Sequence, residues 1–220
     1  MQFACIVLGM ELTKHTHATV VLQKNGATLL IDPGAYTPNS AELIAATSAV
    51  LVTHDHPDHF DAAILNAALS AQPELRVWAP ASVAEVLTAS EGQVVAVSAG
   101  DTFQAAGFDV VAIGEHHAPI HPDLPLMDNV GFVVDETVYH PGDSYFVPDA
   151  AFTTLLVPTS GPWAKLGEAV DFVRGAAPSR AIQIHELMLS DVGRGMFGQM
   201  IGDLTGTSVE TLEPGTTVTL

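Results

Sequence analysis

The stretch LVTHDHPDHFD, residues 51–61, sets three histidines and three aspartates directly behind an apolar run. The run, AVLVTH over 49–54, reads as a continuous apolar strand of the kind buried on both faces. His54 and His56 stand two apart just past its end. In extended backbone, residues i and i+2 point the same way, so the two imidazoles can converge. Pro57 stiffens the turn that carries Asp58 and His59. Borderline divalent metals, zinc above all, take imidazole and carboxylate ligands. Four donors within the six residues 54–59 sit too close along the chain to serve one tetrahedral ion together. They suit two adjacent ions, His54 and His56 on one, Asp58 and His59 on the other. Such a centre needs further donors from other strand ends, one of them a bridging carboxylate.

The chain offers them in order. VVAIGEHHA places His116 and His117 at the end of a strand, VYHPGDS places Asp143 in a turn after another, and AIQIHE ends a third on His185. Taken alone, each later histidine has an ordinary core or surface reading. The contiguous cluster does not.

The rest of the chain alternates short β-rich runs with Ala-rich helical stretches. ATVVLQ (18–23) and ATLLID (27–32) flank KNG, a hairpin signal. DAAILNAALSA (61–71) has helical spacing, RVWAP (76–80) reads as a strand, and ASVAEVLTA (81–89) as a helix with Ser82 as its N-cap. QVVAVS, TFQAAGFDVVAIG, VGFVVDETVYHPG and TTLLVPTS read as strands. LGEAVDFVRGA (166–176) is helical, RAIQIHE (180–186) a strand, and VGRGMFGQMIGDL (192–204) a last helix. TSVETLEPGTTVTL closes the chain as strand, turn and strand. The pattern is α/β with two sheets, not a strictly wound parallel sheet, and 1–220 reads as a single domain. Residues 1–9 are either a first strand or an extension upstream of Met10.

Composition narrows the function. Of 220 residues, 48% are hydrophobic, enough for a sizeable core. No apolar run approaches the roughly 20 residues of a membrane span, and FACIVLGM makes a poor signal peptide. The single cysteine, Cys5, excludes an intrachain disulfide and a cysteine-based zinc site, and fits a cytoplasmic location. A formal net charge of −18 with only 7 Lys and Arg disfavours nucleic-acid partners and anionic membranes. Bound divalent cations would offset that charge locally.

With THDHPDH, HHA, HPGDS and IHE in this order, and LLIDPG (29–34) ahead of them, the sequence resembles the metallo-β-lactamase-fold hydrolase superfamily over residues 10–190. THA (16–18) is similar to the branch of the ascorbate-6-phosphate lactonases and the phospholipase D type acting on N-acyl phosphatidylethanolamine. The resemblance implies a four-layered αβ/βα sandwich with metals at the edge between two sheets. It implies one metal on His54, His56 and His117, a second on Asp58, His59 and His185, and Asp143 as the bridge. His117 is preferred because family members carry this ligand directly before a small residue, here Ala118; His116 is the alternative. Asp32 is expected to orient the metal loop through hydrogen bonds.

The two ions, zinc by default with manganese as the alternative, would activate a water as nucleophile. Asp58 would orient it or shuttle a proton to the leaving group. His17, His121 and Asp123 are candidates for substrate contact, the last two on the Pro-rich loop PIHPDLPLMDN (119–129). The oxygen-reducing diiron branch carries Glu where this chain has His56, which favours hydrolysis over redox chemistry. The RNA-processing branches carry basic surfaces or a further domain, neither expected here. The expected function is a metal-dependent hydrolase of a small-molecule ester, lactone or phosphodiester. The alternative is a non-catalytic metal-binding or regulatory module, and a nuclease ranks last.

Overall fold

The computed structural model describes residues 9–220. The choice between a first strand and an extension therefore falls, Gly9 apart, outside the described residues, as does Cys5. The expected hairpin forms: β2 (Val20–Lys24) pairs antiparallel with β3 (Ala27–Ile31), with Lys24 opposite Ala27. Asn25 and Gly26 between them both take positive φ, 50° and 81°. That mirror-image turn matches the twist of the flanking strands.

β3 continues the sheet in parallel through β4 (Ala49–Leu51), β5 (Arg76–Ala79) and β6 (Val94–Ala96). On the other side, β2 pairs with β1 (Glu11–Lys14), and β1 with the C-terminal β14 (Thr216–Thr219). The second sheet runs β13 (Ser208–Glu210), β12 (Arg180–Ile184), β11 (Thr154–Pro158), β10 (Val138–His140), β9 (Gly131–Val134), β8 (Phe108–Ile113), β7 (Thr102–Ala105). The closing strand–turn–strand is thus not a hairpin, because β13 and β14 join different sheets.

Side-chain alternation builds the layers. On β3, Leu29 and Ile31 face the second sheet, while Leu30 faces outward. Between the sheets, Leu22, Ile31 and Leu51 meet Phe108, Phe132, Leu156 and Ile182. Outside the first sheet, Leu30, Val50 and Val77 pack on Ile44, Leu65 and Val83 from α1 (Ser40–Ala45), α2 (Ala62–Ala71) and α3 (Ala81–Ala84). Outside the second, Leu155 and Val157 pack on Val170, Phe172 and Val173 of α4 (Leu166–Ala176) and Ile201 of α5 (Asp191–Thr205). Each such side chain contributes about 1.5–3 kcal/mol on burial. Helix, sheet, sheet and helix make the expected four layers.

Two local readings are corrected. The helix expected over 81–89 stops at Ala84, and Pro80, not Ser82, stands at its N-cap. The Ser82 hydroxyl is buried without a partner. Beyond Ala84 the bonding tightens, with the Val86 amide on the Val83 carbonyl at 3.3 Å and the Leu87 amide on the Ala84 carbonyl at 3.4 Å, and the Thr88 amide then donates to Asn66 Oδ1 at 2.6 Å. α1 was not expected at all. Among the described residues, no helix is long and apolar enough to cross a membrane.

Candidate metal centre

Every donor segment leaves its strand at the same edge of the two-sheet interface. His17 lies between β1 and β2, Asp32 follows β3, and residues 53–61 follow β4. His117, Asp143 and His185 come after β8, β10 and β12. Two close approaches shape the loops. At Gly34, a Cβ would stand 2.0 Å from the Asp58 carbonyl oxygen, so only glycine lets this backbone lie against the donor loop. At Gly142, φ is +63° and a Cβ would meet Asn129 Oδ1 at 2.2 Å. The Asp143 amide beside it donates to that same oxygen at 3.0 Å, which aims the carboxylate inward.

Hydrogen bonds fix the histidine tautomers. His59 donates through Nδ1 to Asp32 Oδ2 at 2.7 Å, and His185 through Nδ1 to the Ser160 carbonyl at 2.7 Å. His117 donates through Nδ1 to the Ala118 carbonyl at 2.5 Å. The Thr53 hydroxyl donates to Asp32 Oδ2 at 2.8 Å and so accepts from His54 Nδ1 at 3.0 Å. In all four rings Nδ1 is the donor, which leaves the Nε2 lone pair to take a proton or a cation.

Those lone pairs converge on carboxylates. Asp143 Oδ1 lies 3.0 Å from His59 Nε2, and its Oδ2 lies 3.1 Å from His185 Nε2 and 3.3 Å from His117 Nε2. His54 Nε2 is 4.0 Å from Asp143 Oδ2 and 3.1 Å from His56 Nδ1. Asp58 Oδ2 is 3.3 Å from His185 Nε2 and hydrogen-bonded to His17 Nε2 at 3.0 Å. His59 Nε2, His117 Nε2, His185 Nε2 and Asp143 Oδ1 are all buried with no hydrogen-bond partner. Electron pairs facing one another in a dry site need a proton or a cation between them. The donors form two groups, His54, His56, His117 and Asp143, and His17, Asp58, His59 and His185. Within each, one donor atom per residue lies within 4.8 Å of the others. The residues present therefore fit a pair of divalent cations.

Electrostatics reflect the same crowding. Burial, reinforced by neighbouring rings, pushes His54 well below its ordinary pKa, and burial lowers His17 to about 4. At His185 burial is outweighed by Asp143 and Asp58, which hold the ring up at about 9. Burial likewise fails to set His59, which Asp143 and Asp32 raise well above the usual imidazole range. Asp58 and Asp143 are held below the usual carboxylate range, their desolvation overcome by the surrounding histidines.

The structure brings together all seven residues expected to hold metal. His17, expected at the substrate, stands inside the second donor group. His116 stands outside both groups, with its side chain 54% exposed and turned toward Glu115. His121 and Asp123 are exposed; His121 lines a cavity beside His56 and His117, and Asp123 does not. Sequence reasoning missed Trp163, whose Nε1 donates to Asp143 Oδ2 at 2.9 Å, and Thr53 and Asn129, which carry no metal-ligating chemistry to betray them.

A family model described as a beta-lactamase superfamily domain matches residues 11–185. The chain is 34% identical to Protein Rv0786c of Mycobacterium tuberculosis, over 96% of this chain and 100% of that one. It is 30% identical to a UPF0173 metal-dependent hydrolase of Myxococcus xanthus, over 61% of this chain and 52% of that one. Among solved structures it resembles Igni18, a metallo hydrolase from Ignicoccus hospitalis, with a TM-score of 0.74 at 20% identity, covering 96% and 98% of the two chains. At that identity the structural likeness speaks for the fold alone.

Proposed function

The chain belongs to the beta-lactamase superfamily, and from that premise we propose that it is a metal-dependent hydrolase of small molecules with a binuclear, zinc-type centre. The observation that carries the reading is the set of buried, unpartnered atoms His59 Nε2, His117 Nε2, His185 Nε2 and Asp143 Oδ1. His54, His56 and His117 would hold one cation and Asp58, His59 and His185 the other, with Asp143 shared between them. The name of the Myxococcus relative supports the activity. The core shared by the two sheets supports a single domain, and the absence of cysteine among the donors is compatible with work in the cytoplasm in any redox state.

When bound, the cations would supply Lewis-acid activation of water and of the scissile carbonyl or phosphoryl group. The protein's own residues do the rest. Asp32, Ser160 and Ala118 hold the imidazoles so that Nε2 faces inward. Trp163 fixes one oxygen of Asp143. Asp58 is 13% exposed at its side chain, the most accessible of the two carboxylates, and His17 pins its Oδ2. Through its other oxygen it would take a proton from water and pass it to the leaving group. The substrate classes are esters, lactones and phosphodiesters.

The test is elemental analysis of the purified protein, followed by a panel of these substrates with and without chelator. We expect one equivalent of metal per donor group and turnover that chelation abolishes and that His54→Ala and Asp58→Ala abolish as well. A protein that binds both equivalents yet turns over none of the panel counts against the hydrolase assignment.

A further inference from the structure

A cavity of about 440 Å³ opens directly beside the donor groups, with His56 and His117 at its inner end. We propose that it receives the uncharged, aliphatic part of the substrate, so that this chain cleaves a neutral acyl ester or lactone in preference to a phosphodiester. The proposal rests on the hydrolase reading above and narrows it.

The wall supplies the first argument. Apart from His56, His117 and His121, the cavity is lined by apolar residues, with Ile120, Leu124, Leu126 and Met127 the large ones. Leu124 and Leu126 are 54% and 56% exposed, so their side chains stand in water at the mouth of the site. An aliphatic group beside them would remove apolar surface from water. The volume lies toward the lower end of the roughly 300–1,000 Å³ typical of small-ligand pockets.

Charge supplies the second. No Lys or Arg lines the cavity. The chain has none between Lys24 and Arg76, nor between Arg76 and Lys165. Those two stretches provide six of the seven expected metal-holding residues and the whole cavity wall. Of the cations elsewhere, Lys14, Lys24, Lys165, Arg180 and Arg194 are each paired with a carboxylate. Phosphate recognition leans on Arg and Lys clamps, and none is in place here to hold a charged group away from the cations. The net charge of −18 further repels an anion on approach.

Backbone chemistry supplies the third. Pro119, Pro122 and Pro125 recur at every third residue of the wall, each with φ locked by its ring. The Leu124 amide donates to the His121 carbonyl at 3.0 Å, closing a turn between them. A wall held in shape before the ligand arrives spares part of the ordering cost of binding.

The test is calorimetric titration of the purified protein with the neutral, stable probes butanamide, pentanamide, hexanamide and octanamide, alongside dimethyl phosphate. Affinity is expected to rise about fourfold per added methylene, the equivalent of ~0.8 kcal/mol per buried CH₂, until the cavity is full. Leu126→Asp flattens the series and Leu126→Met preserves it; the site is surface-exposed, so both variants fold. A series independent of chain length, or dimethyl phosphate binding tighter than octanamide, overturns the proposal. The readout needs no turnover. A flat series with chelator-sensitive hydrolysis intact strikes this inference alone, whereas a steep series without any hydrolysis strikes the enzymatic reading.

Discussion

His59 and Asp32 share a 2.7 Å hydrogen bond between two side chains with no solvent exposure, and that bond decides which nitrogen of His59 faces the donor groups. Asp32 also accepts from the Thr53 amide and hydroxyl, both at 2.8 Å, so all its contacts require an acceptor.

Asp32→Asn puts an amide NH₂ where one of those acceptors stood. Opposite His59 Nδ1 it moves the ring proton to Nε2, the atom that must be bare to bind a cation. Asn tolerates the left-handed backbone at this position, φ 51°, so chain strain does not confuse the result. Metal affinity should fall about 10–100-fold, measured by competition with a chromophoric chelator. Unchanged affinity with a lowered melting temperature would assign Asp32 to the fold alone.

Gly34→Ala should loosen the Asp58–His59 half of the centre. The new methyl would stand 2.0 Å from the Asp58 carbonyl oxygen and 2.5 Å from the His59 amide nitrogen. Gly34 has no positive φ, so any effect comes from crowding. Gly167→Ala, in α4 with open space around it, is the control and should stabilise by about 0.5–1 kcal/mol. Metal content after dialysis distinguishes them: Gly34→Ala should retain less metal, the control the wild-type amount.

Much of this site was legible because its first donors are contiguous. HDHPDH announces its chemistry within six residues, and strand-end histidines supplied the later donors. What stayed hidden depends on contacts between distant residues of ordinary chemistry. Trp163 reaches Asp143 across 20 positions, and His17 reaches Asp58 across 41, which sets it within the donor group. The fold was read from alternation and turn signals. It failed where those signals are short: α1 has only six residues and α3 only four, too few to show a helical period.

Without metal, stability should peak near the unperturbed imidazole pKa of about 6.5. His17, lowered to about 4, takes its proton later in the folded chain than in the unfolded one, so stability falls as pH drops from 6.5 to 4. The lowered Asp58 and Asp143 push the same way at acid pH. His185, raised to about 9, contributes fully below 6.5 and loses its contribution as pH climbs to 9. Bound cations take the place of the His185 proton, so zinc should flatten the alkaline limb. Urea midpoints across this range, in chelator and in zinc, check it; a chelated protein equally stable at pH 6.5 and 9 would contradict the assignment.

Lys14 and Glu186 form an ion pair at 2.9 Å that joins β1 to the residue after His185, with the side chains 0% and 5% exposed. Burial lowers the Lys14 pKa even against the pull of Glu186, so the charge is held at a cost. Removing one partner strands the other in a dry site. Lys14→Met should therefore destabilise by about 3–5 kcal/mol, while Lys14→Met with Glu186→Leu should recover most of that loss, since apolar pairs replace buried ion pairs well. The pair has a second consequence. Glu186 adjoins His185, whose φ of 56° is costly for a residue with a Cβ and whose amide donates to the His17 carbonyl at 3.1 Å. If the ion pair helps hold that turn, the double variant will recover its urea midpoint but not its metal affinity. Recovery of both would reduce Lys14 and Glu186 to a replaceable piece of core.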